Sequence, residues 1–350
     1  MYCTIKYANE QFLKNADKIF SNRCDNGYIT SCHGDLHSGN IVINDHICIF
    51  DCIEFNKRFR FIDIASDIGF LAMDLDYQNE PFLSSYLINE YIRKNRDDSI
   101  YSVLNFYKSY RAYVRGKVAG FQLNDCHIPK KNKKKVIDTA AKYFSLSEYY
   151  ITLCSISKNI NHPLIFLVFG LTGTGKSTIS QKLSIDYNAE VINTDVVRKQ
   201  LAGIDQYEQH LDKPDTGLYA ENQQMKTYEK VLEIAETSLQ NHKNIVLDAT
   251  FQRRIHREEV EALARKYEAH LIRIQCISPD EMVKKWLDER IKTKTVSDGR
   301  WEIYLHQKKM FECCNDDEDH IKVDLSKGSY NQRFHYFKSI QQKIEMLGEK

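Results

Sequence analysis

A glycine-rich stretch in the middle of the chain has residue types and spacing suited to phosphate chemistry. Residues 170–178 read Gly-Leu-Thr-Gly-Thr-Gly-Lys-Ser-Thr, after an apolar run from Leu164 to Phe169 and before a helix-like run from Ser177 to Tyr187. Glycines here let successive backbone N–H groups turn inward toward phosphate oxygens, and the following helix adds the positive end of its dipole. Strand, glycine loop and helix in this order predict a loop that binds the phosphate chain of ATP.

Residues of this loop have separate expected roles. Lys176 would reach the β- and γ-phosphates, and the Ser177 hydroxyl would be a ligand of Mg²⁺. The alternative is an ordinary glycine turn between a strand and a helix, but the fit of both flanks favours nucleotide binding. The other residues expected to bind the nucleotide are Gly170, Thr172, Gly173, Thr174, Gly175 and Thr178.

Two carboxylates follow the loop at the ends of predicted strands. Asp195 and Arg198 come after the strand-like residues 190–193, and their spacing of three puts them on one face of a helix. Such a pair could orient or deprotonate a hydroxyl and hold an anion, although a helix cap with a surface ion pair is the alternative. Asp248 ends the apolar strand 244–248 and is the second predicted Mg²⁺ ligand, unless it is only a strand-end cap.

A basic segment is predicted to follow the helix that begins near residue 279. It contains Lys292, Lys294 and Arg300, and Arg290 ends the helix before it. In a phosphate-transferring enzyme, such a segment could close over the site and bring Arg290 or Arg300 onto the transferring phosphate. A solvated charged loop is the alternative.

The first half carries a second set of candidate residues. His33, Asp35 and Asn40 form the pattern His-x-Asp-x-x-x-x-Asn, and Asp51 follows eleven residues after Asn40. This is the spacing of a kinase catalytic loop and its metal-binding aspartate. Asp35 could accept a proton from a substrate hydroxyl, Asn40 and Asp51 could bind Mg²⁺, and His33 would hold the loop. The alternative is a β-hairpin with polar residues of no special role.

The elements that must position these residues define an α/β chain. A helix is predicted over 7–21, then a hairpin with strands 41–43 and 47–50, then mainly helices to about residue 150. The second half alternates strands and helices, which predicts a parallel sheet covered by helices on both faces. The predicted divisions are a first domain at 1–155, a linker at 156–162 and a second domain at 163–350.

Bulk composition excludes several classes of function. A chain of 350 residues with net charge +1 has no field that would attract nucleic acid or an anionic membrane. No apolar run has the length of a membrane span, and a secretory pattern is not evident at the N-terminus. The ten cysteines are scattered, so we expect reduced and mostly buried thiols in a cytoplasmic protein.

The first half resembles the large lobe of the aminoglycoside phosphotransferase-like kinases. The resemblance is carried by residues 33–37, 51–55, 61–67 and 107–115, and it is closest to bacterial two-part proteins in which such a kinase precedes a phosphate-loop domain. These kinases have a small N-terminal lobe with a nucleotide-covering loop and a lysine on a strand, whereas only 32 residues precede His33 here. We therefore expect Asp35, Asn40 and Asp51 to keep their geometry without efficient catalysis.

The second half resembles phosphate-loop kinases of the AAA, gluconate kinase and zeta-toxin type. The matching residues are the loop 170–178, the Asp195-x-x-Arg198 pair, residues 247–250 and the basic segment. The resemblance implies that Asp195 activates the substrate and that Arg198 holds it. No water-positioning glutamate of the hydrolase type follows Asp248, which favours transfer to an alcohol over hydrolysis.

These observations predict an ATP- and Mg²⁺-dependent phosphotransferase that acts on a hydroxyl of a small molecule. One alternative acceptor is the 5′-hydroxyl of a polynucleotide, and the near-zero net charge weighs against it. Another alternative is a non-catalytic ATP-binding switch whose incomplete kinase half docks a partner. The sequence leaves the acceptor and the oligomeric state open.

Overall fold

The chain forms two compact units, Met1–Asn159 and Ile160–Lys350. Both contain helices and strands, and helix predominates. None of the helices described has both the length and the apolar composition that crossing a bilayer requires. The computed structural model describes residues 1–124, 129–208, 216–290, 296–314, 318–326 and 330–348.

The first unit is mainly helical and carries two small antiparallel sheets. Strand β1 pairs with β4, and β2 pairs with β3 as a hairpin. The predicted hairpin and the predicted run of helices up to residue 150 are confirmed. The strands are β1 (Ile29–Ser31), β2 (Ile41–Ile43), β3 (Ile47–Ile49) and β4 (Phe61–Asp63). The helices are α1 (Tyr2–Lys14), α2 (Asp17–Asp25), α3 (Lys57–Arg60), α4 (Ile64–Tyr77), α5 (Pro81–Asn95), α6 (Leu104–Phe121) and α7 (Lys130–Asn159).

The prediction of one helix over 7–21 is wrong, because the chain bends between α1 and α2. The amide of Asn15 donates to the carbonyl of Phe12 at 3.1 Å, a tight turn that closes α1. Phe12 then stacks on Phe106, with 4.5 Å between ring centroids, while Phe20 meets the same ring edge-on at 6.1 Å. The bend lets both rings reach one partner on α6.

Helix α7 continues to Asn159, beyond the predicted end of the helical region near residue 150. Leu146, Tyr149, Leu153 and Ile156 recur at helical spacing, and all four side chains are at most 4% exposed. Because this buried stripe continues past residue 155, the first residues of the predicted linker 156–162 are helical.

The second unit contains a five-stranded parallel sheet with the order β6-β7-β5-β8-β9. The phosphate loop follows the central strand, β5. The strands are β5 (Leu164–Phe169), β6 (Ala189–Asn193), β7 (Asn244–Asp248), β8 (His270–Ile277) and β9 (His320–Asp324). The helices are α8 (Lys176–Tyr187), α9 (Thr194–Leu201), α10 (Glu221–Gln240), α11 (Arg254–Lys266), α12 (Asp280–Arg290), α13 (Trp301–Met310) and α14 (Tyr330–Gly348).

Strand β5 is apolar along its whole length because both of its faces are covered. Ile165 and Leu167 pack in one cluster with buried side chains of α10 and α11. Side chains alternate along a strand, so Phe166 faces the other way, where its ring lies 4.9 Å from that of Tyr187 on α8. The predicted parallel sheet with helices on both faces is therefore confirmed.

The expectation of mostly buried thiols is wrong for the cysteines that the structure describes. Only Cys276, near the end of β8, is buried among them. Cys48 and Cys52 lie on or beside the β2–β3 hairpin, whose short strands leave both side chains exposed. The other exposed thiols are Cys3, Cys24 and Cys313.

Candidate active site

The glycine loop turns so tightly after β5 that side chains would not fit. Gly170 and Gly175 have φ of 137° and 91°, which glycine adopts without strain. A Cβ on Gly170 would lie 2.2 Å from the carbonyl oxygen of Cys276 in β8. A Cβ on Gly173 would lie 2.9 Å from side-chain carbons of Val283 and Leu287 on α12. The loop is therefore held against two neighbouring elements.

The amides of the loop divide into two sets. Those of Gly170, Thr172 and Thr178 donate to the carbonyl of Thr250, the Gln307 side chain and the carbonyl of Gly175, respectively, at 2.9–3.2 Å. Within the described ranges, the amides of residues 173–177 have no acceptor. These five consecutive donors form the open part of the loop, and they suit an anionic ligand. The backbone amides of Gly170, Thr172 and Thr178, three residues that we predicted to bind nucleotide, are thus already bonded to protein.

Lys176 starts α8 directly beside these open amides. Its Nζ donates to the carbonyl of Leu171 at 2.9 Å. Burial lowers the pKa of Lys176, while the carboxylates of Asp248 and Asp195 act in the opposite direction. The charges of both acidic residues thus act on Lys176, although Asp248 ends β7 and Asp195 follows β6.

Asp248 is brought to the loop by the register of the sheet. It ends β7, pairs with Val168 of β5 on one side and with Asn193 of β6 on the other, and is 3% exposed. Asn193 Nδ2 donates to its Oδ2 at 3.0 Å. Burial raises the pKa of Asp248, and the Lys176 charge with hydrogen bonds from Ser177 and Asn193 opposes this shift. Ser177 and Asp248, the two predicted Mg²⁺ ligands, therefore lie close enough for the Ser177 hydroxyl to act on the Asp248 carboxylate.

Asp195 lies in the first turn of α9 but does not cap the helix. Asn193 is the cap, and its Oδ1 accepts from the amides of Asp195 at 2.8 Å and Val196 at 3.2 Å. The Asp195 carboxylate instead pairs with Arg198, with N and O 2.5 Å apart. The Arg198 guanidinium lies 4.7 Å from the ring centroid of Tyr219, and its buried Nε has no acceptor in the described part of the chain. A role for Asp195 as a helix cap is thus excluded.

Opposing charges act on Asp195 and Arg290. Burial acts to raise the pKa of Asp195, but the charge and hydrogen bond of Arg198, a hydrogen bond from Ser297 and the charge of Lys176 together lower it. Burial lowers the pKa of Arg290, at the end of α12, and the carboxylates of Asp195 and Asp248 oppose that shift. The predicted Arg290 therefore lies near both carboxylates.

Other parts of the predicted basic segment are less closely tied to the site. Lys292 and Lys294 lie outside the described residues. Arg300 immediately precedes α13, where its carbonyl accepts from the amide of Tyr304 at 2.9 Å. The predicted part of Arg300 in phosphate transfer stays a prediction.

A Mg²⁺ ion would need ligands from outside the protein here. Across the described ranges, no group of three or more His, Cys, Asp or Glu side chains is arranged to hold a metal. Mg²⁺ commonly takes one or two protein oxygens and completes its shell with water and substrate phosphates. The hydroxyl of Ser177 and the carboxylate of Asp248, beside open amides that suit phosphate, fit that kind of site.

The candidate residues of the first unit are also partly brought together. Asn40 Nδ2 donates to the backbone carbonyl of Asp35 at 3.0 Å and lies 3.4 Å from its carboxylate. His33 Nε2 lies 2.8 Å from the carbonyl oxygen of Phe50, the residue before Asp51. Asp51 is exposed and has φ of 61°. Asn40 and Asp35 are thus joined within the loop that precedes β2, while His33 reaches the residue after β3, which is followed by Asp51.

Sequence reasoning missed the residues that hold this loop. The Asp67 carboxylate accepts from the amides of His33 at 2.7 Å and Gly34 at 3.0 Å. Arg111 Nη1 donates to the carbonyl of Gly34 at 2.9 Å. Both residues lie within the stretches that carried the resemblance, but a single carboxylate or guanidinium on a helix has no spacing signal that would reveal such a role.

An open glycine loop on the central strand of a parallel sheet, with a lysine and a strand-end aspartate beside it, defines the second unit as a P-loop domain. Consistent with this class, residues 165–312 match the protein-family model described as an AAA domain.

The similarity to curated relatives extends over more of the chain than the match to the AAA-domain model. Uncharacterized protein Rv2004c of Mycobacterium tuberculosis (strain ATCC 25618 / H37Rv) is 28% identical over 248 residues, which are 71% of this chain and 47% of the relative. Uncharacterized protein Mb2027c of Mycobacterium bovis matches to the same extent. The chain spans about half the length of the curated relatives it matches.

Solved structures resemble about half of the chain. A gluconokinase from Sinorhizobium meliloti 1021 is 14% identical, with a TM-score of 0.39, and the match covers 53% of this chain and 95% of that one. The Mycobacterium tuberculosis APS kinase CysC, in complex with AMPPNP and APS, is 11% identical, with a TM-score of 0.35 and coverage of 53% and 98%. Similarity at this level carries no argument about the substrate.

Proposed function

We propose that the second unit binds ATP with Mg²⁺ and transfers the γ-phosphoryl group to a hydroxyl of a small molecule. The observation that supports this most is the run of five open amides at residues 173–177, which includes that of Lys176, next to the strand whose register brings Asp248 to the same end of the sheet. A cation and donors suited to phosphate, next to an ionised carboxylate, are the parts that phosphoryl transfer needs.

Each residue of this cluster has a distinct role in the proposal. The open amides and Lys176 hold the phosphate chain, and Mg²⁺, held by Ser177 and Asp248, supplies charge neutralisation when bound. The acceptor oxygen forms a bond to the γ-phosphorus as the bond to the bridging β–γ oxygen breaks, and ADP leaves. Asp195 orients the hydroxyl and takes its proton, which its lowered pKa permits at neutral pH.

Two cations complete the proposed site. Arg198 is paired with Asp195 on one side and still has a buried Nε that could bind a polar acceptor. Arg290 could stabilise charge on the transferring phosphate, since both carboxylates act on it. Positioning by these groups would supply most of the rate.

We also propose that the first unit is a large lobe of the aminoglycoside phosphotransferase-like type. The hydrogen bonds from the Asp35 amide to His33 and from Asn40 to the Asp35 carbonyl, within the loop that precedes β2, support this interpretation. In this proposal Asp35, Asn40 and Asp51 keep the geometry of a catalytic loop, while the chemistry belongs to the second unit. The domain limits 1–155 and 163–350 are part of the same proposal.

An ADP-release screen tests the function. The full chain with ATP and Mg²⁺ is offered sugars, nucleosides and aminoglycosides, and we expect at least one to accelerate ADP release. Asp195→Asn should keep ATP binding and lose that acceleration. Tight ATP binding with no acceleration by any compound would instead favour the non-catalytic switch.

A polynucleotide acceptor is tested separately. Single-stranded oligonucleotides are titrated at about 50 and 200 mM salt, because phosphate contacts make binding strongly salt-dependent. We expect no salt-dependent binding, in keeping with the net charge of +1. Phosphorylation of an oligonucleotide 5′-hydroxyl would replace the small-molecule proposal.

A further inference from the structure

A buried ion pair joins two distant parts of the second unit. Lys199 and Asp298 are each 1% exposed, and Lys199 Nζ lies 3.1 Å from Asp298 Oδ1. Lys199 Nζ also donates to the carbonyl of Val296 at 2.8 Å. The other carboxylate oxygen of Asp298 accepts from the hydroxyl of Tyr219 at 2.9 Å. We call Lys199, Tyr219 and Asp298 the buried network.

The segment held by this network, residues 296–300, contacts both halves of the proposed site. On one side, the Ser297 side chain lies close enough to Asp195 to help lower the pKa of that carboxylate, which is also paired with Arg198. On the other side, Gly299 lies against the phosphate loop so closely that a Cβ there would be 2.0 Å from Thr172 Oγ1. This one segment therefore connects the loop that would bind ATP with the carboxylate that would face the acceptor.

The network also reaches the acceptor side by a second route. Lys199 directly follows Arg198 on α9. Tyr219 contacts both sides, because its ring lies against the Arg198 guanidinium and its hydroxyl donates to Asp298. Removing two charges from water is costly, and only a well-formed pair with further hydrogen bonds offsets that cost, so few alternative arrangements of the pair are tolerated. Such a pair is suited to fixing a geometry and adds little to stability.

We propose that Lys199, Tyr219 and Asp298 are positioning residues that couple the phosphate loop to α9 through Ser297 and Gly299. The proposal rests on the proposed function, because it assumes that ATP binds the loop. In this coupling, nucleotide at the loop orders residues 296–300, and these residues in turn order Asp195 and Arg198.

Hydrogen exchange of the full chain tests the coupling, with ATP and Mg²⁺ as the probe. In the wild type, we expect ATP to slow exchange of the α9 amides by at least about fivefold, the lower end of typical coupling strengths. Tyr219→Phe keeps the ring over Arg198 and removes only the hydrogen bond to Asp298. Tyr219→Phe and Asp298→Asn should bind ATP within about threefold of the wild type but retain less than about twofold protection of α9.

Two further variants sharpen the test. Ser297→Ala removes the link to Asp195 and should lose the protection as Tyr219→Phe does. Tyr207→Phe is the matched control, because this tyrosine is exposed, lies outside the buried network and donates its backbone amide to Asp205. It should behave as the wild type.

The outcomes separate the coupling from the function. If ATP binds and α9 is not protected, or is protected equally in Tyr219→Phe, the coupling is overturned while the proposed function stands. If the wild type binds no ATP, the proposed function fails and the coupling fails with it. Should Asp298→Asn not fold, Tyr219→Phe and Ser297→Ala still decide between these results.

Discussion

Lys176 is half-buried and its charge interacts with those of two carboxylates, and this makes it sensitive to substitution. Because it would bind the β- and γ-phosphates, Lys176→Ala should lower acceptor-dependent ADP release by roughly a hundredfold or more, the effect of losing one stabilising group. Steady-state kinetics with ATP and the acceptor found by the screen measures this.

The control for this substitution is Lys243→Ala. Lys243 is 59% exposed and pairs only with Glu190 among the contacts described. It should leave turnover unchanged. A loss of less than about threefold for Lys176→Ala would contradict its assignment.

Asp248 carries a charge that the fold does not favour. Its folded pKa is raised by burial, so the unfolded state binds fewer protons in the pH range above its ordinary value of 3.8. Stability is therefore lost as the pH rises through the folded pKa. Asp248→Asn keeps an acceptor for Asn193 and should raise Tm at pH 7 by about 2–4 °C, which corresponds to about 1 kcal/mol in a unit of this size.

The pH dependence of this gain is the sharper measurement. As the pH falls and the wild-type carboxyl becomes protonated, the Tm difference between Asp248→Asn and the wild type should shrink. Because Asp248→Asn also removes a proposed Mg²⁺ ligand, its Mg²⁺-dependent ATP binding should be weaker than that of the wild type. A variant less stable than the wild type at pH 7 would show that the carboxylate stabilises the fold.

At the scale of elements, Arg23 holds three parts of the first unit together. Its side chain is fully buried. The guanidinium donates hydrogen bonds to both carboxylate oxygens of Asp63, at 2.6 and 2.8 Å, and to both of Asp97, at 2.9 and 3.0 Å. Asp63 also caps α4 through the amide of Ala65. Arg23→Leu would leave two buried carboxylates unpaired and should cost about 3–5 kcal/mol of unfolding free energy.

Denaturant unfolding measures this loss, with Arg93→Leu as the control. Arg93 is 66% exposed and pairs with Glu90 on the same helix, so its removal should cost less than about 1 kcal/mol. Equal effects of the two substitutions would mean that the Arg23 ion pairs contribute no more than a surface pair.

Regular elements were predictable where the local pattern sets them. Strand β5 and the hairpin turn between β2 and β3 follow directly from the sequence, because an apolar run and an Asn-Asp-His turn specify them locally. The break between α1 and α2 was not predictable, since Phe12 and Phe20 meet Phe106 only in the folded unit.

Candidate site residues follow the same division. Lys176, Ser177 and Asp248 were predictable from motifs at the ends of strands. Tyr219, Ser297 and Asp298 were not, because they are single residues that act through contacts between distant parts of the chain. Arg290 lies between these cases, since its place on α12 was predictable but its nearness to two carboxylates depends on the packing of that helix.

The whole molecule contains two candidate sites, one in each unit. If the chemistry belongs to the second unit, Asp35→Asn should change acceptor-dependent ADP release by no more than about twofold. The measurement uses the full chain under the conditions chosen for Lys176→Ala. Loss of turnover comparable to that of Lys176→Ala would assign catalysis to the first unit as well.

The alignment of Asp248 with Val168 and Asn193 across three parallel strands has a consequence for how this chain can vary. Successive side chains of a strand point to opposite faces, so one added or deleted residue within 244–247 would turn the carboxylate away from the loop. Point substitutions in β7 are therefore far better tolerated than changes in its length, and single-codon insertions there should be absent from functional variants selected from a random library.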